Sequence, residues 1–320
     1  MIKLDLKDRR ILYQLDLDSR QSLQTIGKRV GLPKNVVAYR IKRLEELGII
    51  KNFYSVIDAS KLGYISLRFY LIFQDMNPKM EKKIIDYFVN NKHTYWIGSI
   101  QGLFDLVVIT WVKDINDFYS FWEETLKRYR NYFQEQLLSL YVKLYHYRYS
   151  YLLEEKTERT KFEITGGGEK IGIDKTDFKI LKLIASNARI TITEIAKKLD
   201  YNVATINFRI KNLIKSGVIQ GFRVNIDFTK LGYQHFKVNI YLKDYKKVDA
   251  ITDYIKLNPN LVYIDKSVGF SDIELEFHFK SLNEFKRTID SLVIKFPKTI
   301  KNYKYFIIST IHKLNYMPEE

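Results

Sequence analysis

The chain predicts an α+β fold made of two copies of one module, a helix-turn-helix unit followed by a βαββαβ sheet domain. Three observations carry that prediction. Residues 4–64 recur as residues 173–233 at a constant offset and without a gap. Each copy opens on helical periodicity, and each continues in strand-like alternation. A repeat of this length is too long for a solenoid, so whole domains are duplicated. The copies divide the chain into residues 1–56, 57–153, a linker at 154–171, then 172–225 and 226–320.

Paired positions include Asp5/Asp174, Asp8/Asp177, Ile11/Ile180, Leu12/Leu181, Arg20/Arg189, Arg40/Arg209 and Gly48/Gly217. In copy one, Asp8 is the expected cap of a helix with Ile11, Leu12 and Leu15 inward. Ser22 begins a second helix, with Leu23, Ile26 and Val30 inward. After the turn Gly31-Leu32-Pro33, a third helix runs from about Lys34 to Leu47 with Val37, Ile41 and Leu44 on one face, and Gly48 stops it. This is a helix-turn-helix unit. The strand-like stretch at 49–56 stands where a wing or hinge strand belongs. Copy two repeats the plan with a helix from Asp177, one at Thr193–Leu199, a turn at 200–202 and a third helix from Val203 to Ser216, where Asn202 caps better than Pro33.

After each hinge the texture changes to strands at 67–74, 95–100, 106–113 and 136–147, with helices at 80–90 and 117–130. Copy two shows strands at 236–243, 261–268, 273–280 and 303–313, with helices at 247–257 and 283–296. The order βαββαβ is the ferredoxin-like plan, a sheet with helices on one face. Its other face needs a cover, and the second sheet supplies one. Glu154–Gly172 is polar, contains Gly166-Gly167-Gly168 and reads as a flexible tether spanning about 25 Å. No strand leads into those glycines and no Lys-Ser/Thr follows, so they are no phosphate cradle.

Composition narrows the partner. A net charge of +16 and a pI near 9.5 favour a polyanion such as nucleic acid. Asp105 interrupts the best apolar run, so no membrane span is expected. The charged, alternating N-terminus has no signal-peptide core, and a cytoplasmic protein is expected. Cysteine is absent, which removes disulfides and thiolate zinc sites. The five histidines, at 93, 146, 235, 278 and 312, show no ligand spacing, and no Walker A, His-Glu-x-x-His or Gly-x-Ser-x-Gly motif appears. No cofactor, metal or catalytic residue is expected.

The third helices carry the sharpest functional signal. In copy one Lys34, Asn35, Ala38, Tyr39, Lys42 and Arg43 face outward. Lys34 and Asn35 lie at the helix N-terminus, the part that meets base edges in a major groove. Asn suits adenine, Lys suits guanine, and Ala38 could sit on a thymine methyl. Lys42, Arg43, Lys28 and Arg29 are placed for phosphates. Arg40 and Arg209, present in both copies, bind either phosphate or an internal carboxylate. Copy two presents Val203, Ala204, Asn207, Phe208 and Lys211, with no basic residue in the first turn. It reads a more A·T-rich half-site, or it binds mainly backbone. A protein-recruiting winged helix is the competing use of such a face.

Both copies resemble the Lrp/AsnC (feast/famine) transcriptional regulators. The matching residues are Leu4-Asp5, Asp8, Ile11-Leu12, Asp18-Ser19-Arg20, Val37–Leu44, Gly48-Ile49-Ile50 and Leu62-Gly63 in copy one. In copy two they are Ile173-Asp174, Asp177, Ile180-Leu181, Asn187-Ala188-Arg189, Arg209–Leu213, Gly217-Val218-Ile219 and Leu231-Gly232. The resemblance implies a tandem, double-length member, with one winged helix and one ligand-sensing sheet domain per copy. It implies double-stranded DNA as partner, an intramolecular pseudo-dimer with scope for further homo-oligomers, and an amino-acid effector. The effector turn of the family corresponds to Gly102, Phe104 and Asp105, and to Gly269 and Asp272, close in sequence to His93, Trp96, Gln101 and Trp111. The alternative is a plain hairpin turn whose Asp bonds backbone amides. The layout is also similar to the tandem sirohaem decarboxylases. Their His-Asn-Tyr-x-Arg-Glu-His strand corresponds here to His93–Gly98 and Asn260–Asp265, which lack the Arg-Glu-His portion.

Overall fold

A computed structural model describes residues 3–153 and 159–319. Copy one opens with α1 (Leu6–Leu17), α2 (Leu23–Val30), α3 (Lys34–Glu46) and β1 (Ile50–Ile57). The inward residues Ile11, Leu12, Leu15, Ile26, Val30, Val37, Ile41 and Leu44 all reach the core, as their helical spacing requires. Asp8 is not the cap of α1. Asp5 is, its carboxylate accepting the Asp8 N–H at 2.7 Å, and Asp8 is buried one turn in. Ser22 caps α2, and Gly31 ends it at φ 67°, a conformation that suits glycine.

The sheet domain follows as β2 (Ile65–Phe73), α4 (Pro78–Val89), β3 (Thr94–Gln101), β4 (Leu106–Val112), α5 (Ile115–Tyr129) and β5 (Phe133–His146). The segment between copies forms a short β6 (Glu163–Thr165) on the edge of β5. Its described part is not the free tether that its composition suggests. Arg159 is buried and donates to the carbonyls of Arg148, Lys256 and Leu261 at 2.8, 2.9 and 2.7 Å. The Gly166 N–H bonds Asp58 at 3.0 Å, and the Ile171 N–H bonds the Lys61 carbonyl at 2.7 Å. These bonds fix the described part of the connection, residues 159–171, which polar composition cannot disclose.

Copy two comprises α6 (Lys175–Ala185), α7 (Ile192–Leu199), α8 (Val203–Lys215), β7 (Ile219–Ile226), β8 (Gln234–Leu242), α9 (Val248–Ile255), β9 (Leu261–Val268), β10 (Ile273–Phe279), α10 (Leu282–Lys295) and β11 (Ile300–Leu314). The sheet strands of both copies join one nine-stranded sheet in which all but β6 close into a ring, β2-β4-β3-β11-β8-β10-β9-β5 and back to β2. Closure comes from two long strands. β5 pairs with its own β2 and then with β9 of copy two; β11 pairs with its own β8 and then with β3 of copy one. The helices α4 and α5 cover one half of the barrel from outside, and α9 and α10 the other.

Closure changes what strand alternation means. In β8 and β10 the residues Phe236, Val238, Ile240, Ile273, Leu275 and Phe277 face the helices. The polar alternates His235, Lys237, Asn239, Glu274, Glu276 and His278 are buried as well, on the barrel's inner face. Period-two polarity ordinarily marks a solvated face. Here it marks an internal one.

Candidate nucleic-acid interface

The strands at 49–56 and 218–225 do not fold back as independent wings. They become β1 and β7, which pair antiparallel with each other. Their register sets Tyr54 opposite Arg223, flanked by Phe53 opposite Val224 and Ser55 opposite Phe222. Tyr54 and Arg223 occupy equivalent positions in the duplication, so a pseudo-twofold axis passes between them.

The backbone and arginine contacts that flank that axis come in matched pairs. The Arg20 guanidinium donates to the Ala188 carbonyl at 2.8 Å, and Arg189 donates to the Ser19 carbonyl at 2.6 Å. Arg20 lies over Phe222 at 5.2 Å, and Arg189 over Phe53 at 5.3 Å. The Ser19 N–H bonds the Phe222 carbonyl at 2.9 Å and the Ala188 N–H bonds Phe53 at 2.8 Å. Arg20 and Arg189 thus splice the two helix-turn-helix units together. Each helical core is completed by the other copy: Val224, Ile226 and Leu231 pack under the first, and Ile57, Leu62 and Tyr64 under the second.

On α3, Lys34, Asn35, Tyr39 and Lys42 are exposed, and Ala38 is half-buried beside them. Lys42 makes only a loose pair with Glu46 at 3.8 Å, both well exposed. Lys28 and Arg29 stand out from α2, Arg29 donating to the Gln14 and Gln21 side chains at 2.9 and 2.8 Å. Arg40 is different. It reaches back to Asp5 at 2.7 Å and Asp8 at 2.8 Å, and Arg43 joins Asp8 at 2.5 Å. Arg209 repeats the arrangement on Asp174 and Asp177 at 2.7 and 2.9 Å. Hydrogen bonds to those acids raise both arginine pKa values. Of the two roles open to Arg40 and Arg209, the geometry has the internal carboxylate: they tie the third helix to the start of the first, and Arg43 is drawn partly into the same clamp.

On α8, Val203, Ala204, Phe208 and Lys211 are exposed, and Asn207 is half-buried. Phe208 is 64% exposed and its counterpart Tyr39 67%. A large aromatic so open on both helices is a surface without a partner inside the chain. Lys197 and Lys198 of α7 and Lys211 and Lys215 of α8 are exposed as well.

The two glycine turns close hairpins. Gly102 and Gly269 have φ of 125° and 114°. Asp105 accepts the Phe73 N–H at 2.7 Å, and Asp272 accepts the Leu242 N–H at 2.6 Å. Phe104 is buried, stacked on Tyr70 at 4.6 Å. Trp111 stacks on Tyr95 at 3.7 Å, and His93 lies 3.8 Å from Asp117. Of the predicted effector residues, Phe104, Asp105 and Asp272 thus have partners within the fold.

A winged helix-turn-helix DNA-binding family model matches twice, at residues 4–51 and 173–220. An uncharacterized HTH-type transcriptional regulator of Pyrococcus furiosus is 36% identical over 121 residues, which cover 38% of this chain and 82% of the relative. A similar regulator of Pyrococcus abyssi is 31% identical over 121 residues, with the same coverage. The chain belongs to the HTH-type transcriptional regulators. It is a tandem member of that family, each relative spanning little more than one third of it. Over its full length the fold resembles the crystal structure of the sirohaem decarboxylase NirDL, with a TM-score of 0.66 at 12% identity, covering 98% of this chain and 94% of that one. Among the described residues no helix is long and apolar enough to cross a membrane.

Sequence reasoning missed the chemistry inside the barrel of this family member. Arg68 meets Asp265 at 3.1 Å and Glu274 at 2.5 Å, and Lys237 meets Asp265, Glu274 and Glu276. His235 pairs with Glu276 at 2.8 Å and packs edge-on to His278 at 5.0 Å. Burial and the neighbouring acids push the Asp265 carboxyl up to about 7, against the pull of Lys237. Burial also pushes His278 well down, so it stays neutral. The available signal was the run of alternate polar and charged residues in β8 and β10, on the sheet face that was expected to be covered by apolar packing.

Proposed function

We propose that the chain is a sequence-reading regulator that binds duplex DNA through α3 and α8 together and acts in the cytoplasm. One observation carries the reading: the two helix-turn-helix units are spliced about one axis by β1, β7 and the matched Arg20 and Arg189 bonds. Two recognition helices so related suit successive major grooves, about 34 Å apart along one face of the duplex. Lys34, Asn35 and Ala38 would face base edges, and Lys28, Arg29 and Lys42 the phosphates on the copy-one side. Arg43 would reach phosphate only with the part of its guanidinium that Asp8 leaves free. On the copy-two side Val203, Ala204, Asn207 and Phe208 would face bases, with Lys211 on phosphate. Because the helices differ, the operator is an imperfect palindrome.

We give the chain no catalytic role. The space between its sheets is filled by Tyr70, Ile100, Phe104, Val107, Ile109, Phe306 and Ile308 on one side and by ion pairs on the other. The turns at Gly102 and Gly269 have a structural role in this reading, and an amino-acid effector is tested by thermal shift rather than assumed. Selection of bound duplexes from a random pool, read at two salt concentrations, tests the central proposal. Enrichment of a bipartite site whose affinity falls steeply with salt is the expected result. Failure to retard any duplex at low ionic strength would leave the protein-recruiting reading instead.

A further inference from the structure

The duplication makes Lys237 the counterpart of Arg68, and strand register extends the comparison to their surroundings. Arg68 lies across from Ile109, whereas Lys237 lies across from Glu276. In the same way Val107 corresponds to Glu274, and Gly98 to Asp265. Both copies therefore put a cation inside the barrel, but only copy two supplies carboxylates. Arg68 finds its anions, Asp265 and Glu274, solely by crossing to the other copy.

A second cluster, on the pseudo-twofold axis, has the opposite division. Arg223 of copy two is fully buried, and its Nε donates to Asp16 of copy one at 2.8 Å. A second donation, at 2.8 Å, goes to the Tyr147 carbonyl, also in copy one. The counterparts of Arg223 and Asp16 are Tyr54 and Ala185, which are uncharged. Here copy two brings the cation and copy one the carboxylate that hydrogen-bonds it, while Glu163, from the connection between the copies, lies 3.8 Å away and is itself paired with Arg148 of copy one.

We propose that these two clusters make each copy's inner surface specific for the other copy, so that like copies cannot pair. A barrel of two copies of the first kind would bury two Arg68 guanidiniums opposite isoleucine, valine and glycine. It would also leave two Asp16 carboxylates beside tyrosines. Two copies of the second kind would set two Arg223 against each other, and would crowd a doubled set of Asp265, Glu274 and Glu276 around two lysines. An unpaired buried charge costs far more than the desolvation of a paired one. Only the mixed pair gives both Arg68 and Arg223 a hydrogen-bonded carboxylate. The clamp of Arg20 and Arg189 is the same in either direction and cannot discriminate, so selectivity rests on these ions. The consequence is a molecule that always presents α3 beside α8, whatever it binds.

The test starts from the full chain with a protease site placed within residues 154–158. After cleavage in the native state, the two fragments are unfolded together, refolded and sorted by native mass spectrometry. Mixed pairs should exceed each like pair at least tenfold, whereas a statistical 1:2:1 mixture would overturn the proposal. A variant carrying R68M, K237M, D265G, E274V and E276I should move the mixture toward that ratio, and an unchanged preference would remove the barrel cluster from the argument. The uncut chain offers a check that needs no fragment refolding. It has no cysteine, so Y54C introduces a sole thiol on the axis. Like-copy pairing between molecules would bring two such thiols together. Refolding at high concentration under oxidation should give no covalent dimer, and abundant dimer would refute the proposal. Neither readout involves DNA, so both are independent of the proposed function.

Discussion

At the first turn of its third helix copy one carries Lys34 and Asn35, and at the equivalent place copy two carries Val203 and Ala204. Beneath these residues the helices are held alike. Val37, Ile41 and Leu44 match Ile206, Ile210 and Leu213 in the core, and Arg40 on Asp5 and Asp8 matches Arg209 on Asp174 and Asp177. The two units thus share the core residues and the arginine clamp that position a recognition helix and differ in the part that would touch bases. A duplicated scaffold with a divergent face is what an asymmetric DNA site requires. Exposed residues were free to differ because no packing constrains them.

The largest effect should come from breaking the place on the pseudo-twofold axis where scaffold symmetry is lost. Asp16→Ala leaves the buried Arg223 guanidinium without its hydrogen-bonded carboxylate and with only Glu163, 3.8 Å away, and should destabilise the chain by about 3 kcal/mol in urea unfolding. Adding Arg223→Tyr reproduces the Ala185 and Tyr54 pattern of the opposite copies and should recover most of that loss. If the double variant is no more stable than D16A, the buried pair is not what the loss measures.

Next in size is the loss of base reading by copy one. Replacing Lys34 and Asn35 by alanine should cost about 1–3 kcal/mol per lost base contact at the correct half-site, and should flatten the preference of that half-site. Lys42→Ala should instead weaken all sequences similarly and reduce the salt slope by about one. Identical, uniform losses from both changes would mean that α3 is not in the groove.

A smaller effect belongs to the barrel. The Asp265 carboxyl is pushed up to about 7 by burial beside Glu276 and Glu274, although Lys237 and Arg68 draw it down. A folded-state value above the ordinary 3.8 means that its proton stabilises the fold fully below 3.8, and that this contribution is lost as pH rises through about 7. Glu276 works in the other direction: burial raises it, but Lys237 and His235 outweigh burial and hold it below the usual carboxylate range, so its contribution is lost in acid. Asp265→Asn removes the first contribution alone. The melting temperature of the native chain should therefore fall by a few degrees relative to D265N between pH 6 and pH 8. Parallel curves would show that Asp265 is already ionised at pH 6.

These examples mark how far the sequence could be read. The helix-turn-helix units were legible because Ile11, Val37 and Ile41 and their counterparts recur at helical spacing, and Gly48 and Gly217 stop the third helices. The βαββαβ order was legible from strand alternation and the two glycine turns. Ring closure was not, because pairing of β5 with β9 and of β11 with β3 is a long-range choice that no local pattern encodes. For the same reason the partners of the polar residues of β8 and β10 could not be read, and Arg40 and Arg209 could not be assigned until Asp5 and Asp174 were found beside them. Arg20 and Arg189 were visible as an identity between copies, but their acceptors lie in the opposite copy.

The face of α8 gives the finest test of the difference between copies. Phe208 and Val203 are 64% and 46% exposed, and apolar side chains read a major groove mainly through the C5-methyl group of thymine. Replacing thymine by deoxyuridine removes that methyl and leaves base pairing intact. Burial of one such carbon contributes about 0.8 kcal/mol, so each contacted methyl is worth about a fourfold change in affinity. Substitution confined to the copy-two half-site should weaken binding to that extent, and Phe208→Ala should abolish the sensitivity. The same substitution in the copy-one half-site should cost less, since Lys34 and Asn35 read by hydrogen bonds and only Ala38 is placed for a methyl. Equal sensitivity of both half-sites would mean that the two helices read DNA in the same way despite their different faces. Insensitivity of both, with tight binding retained, would place α8 on the backbone alone.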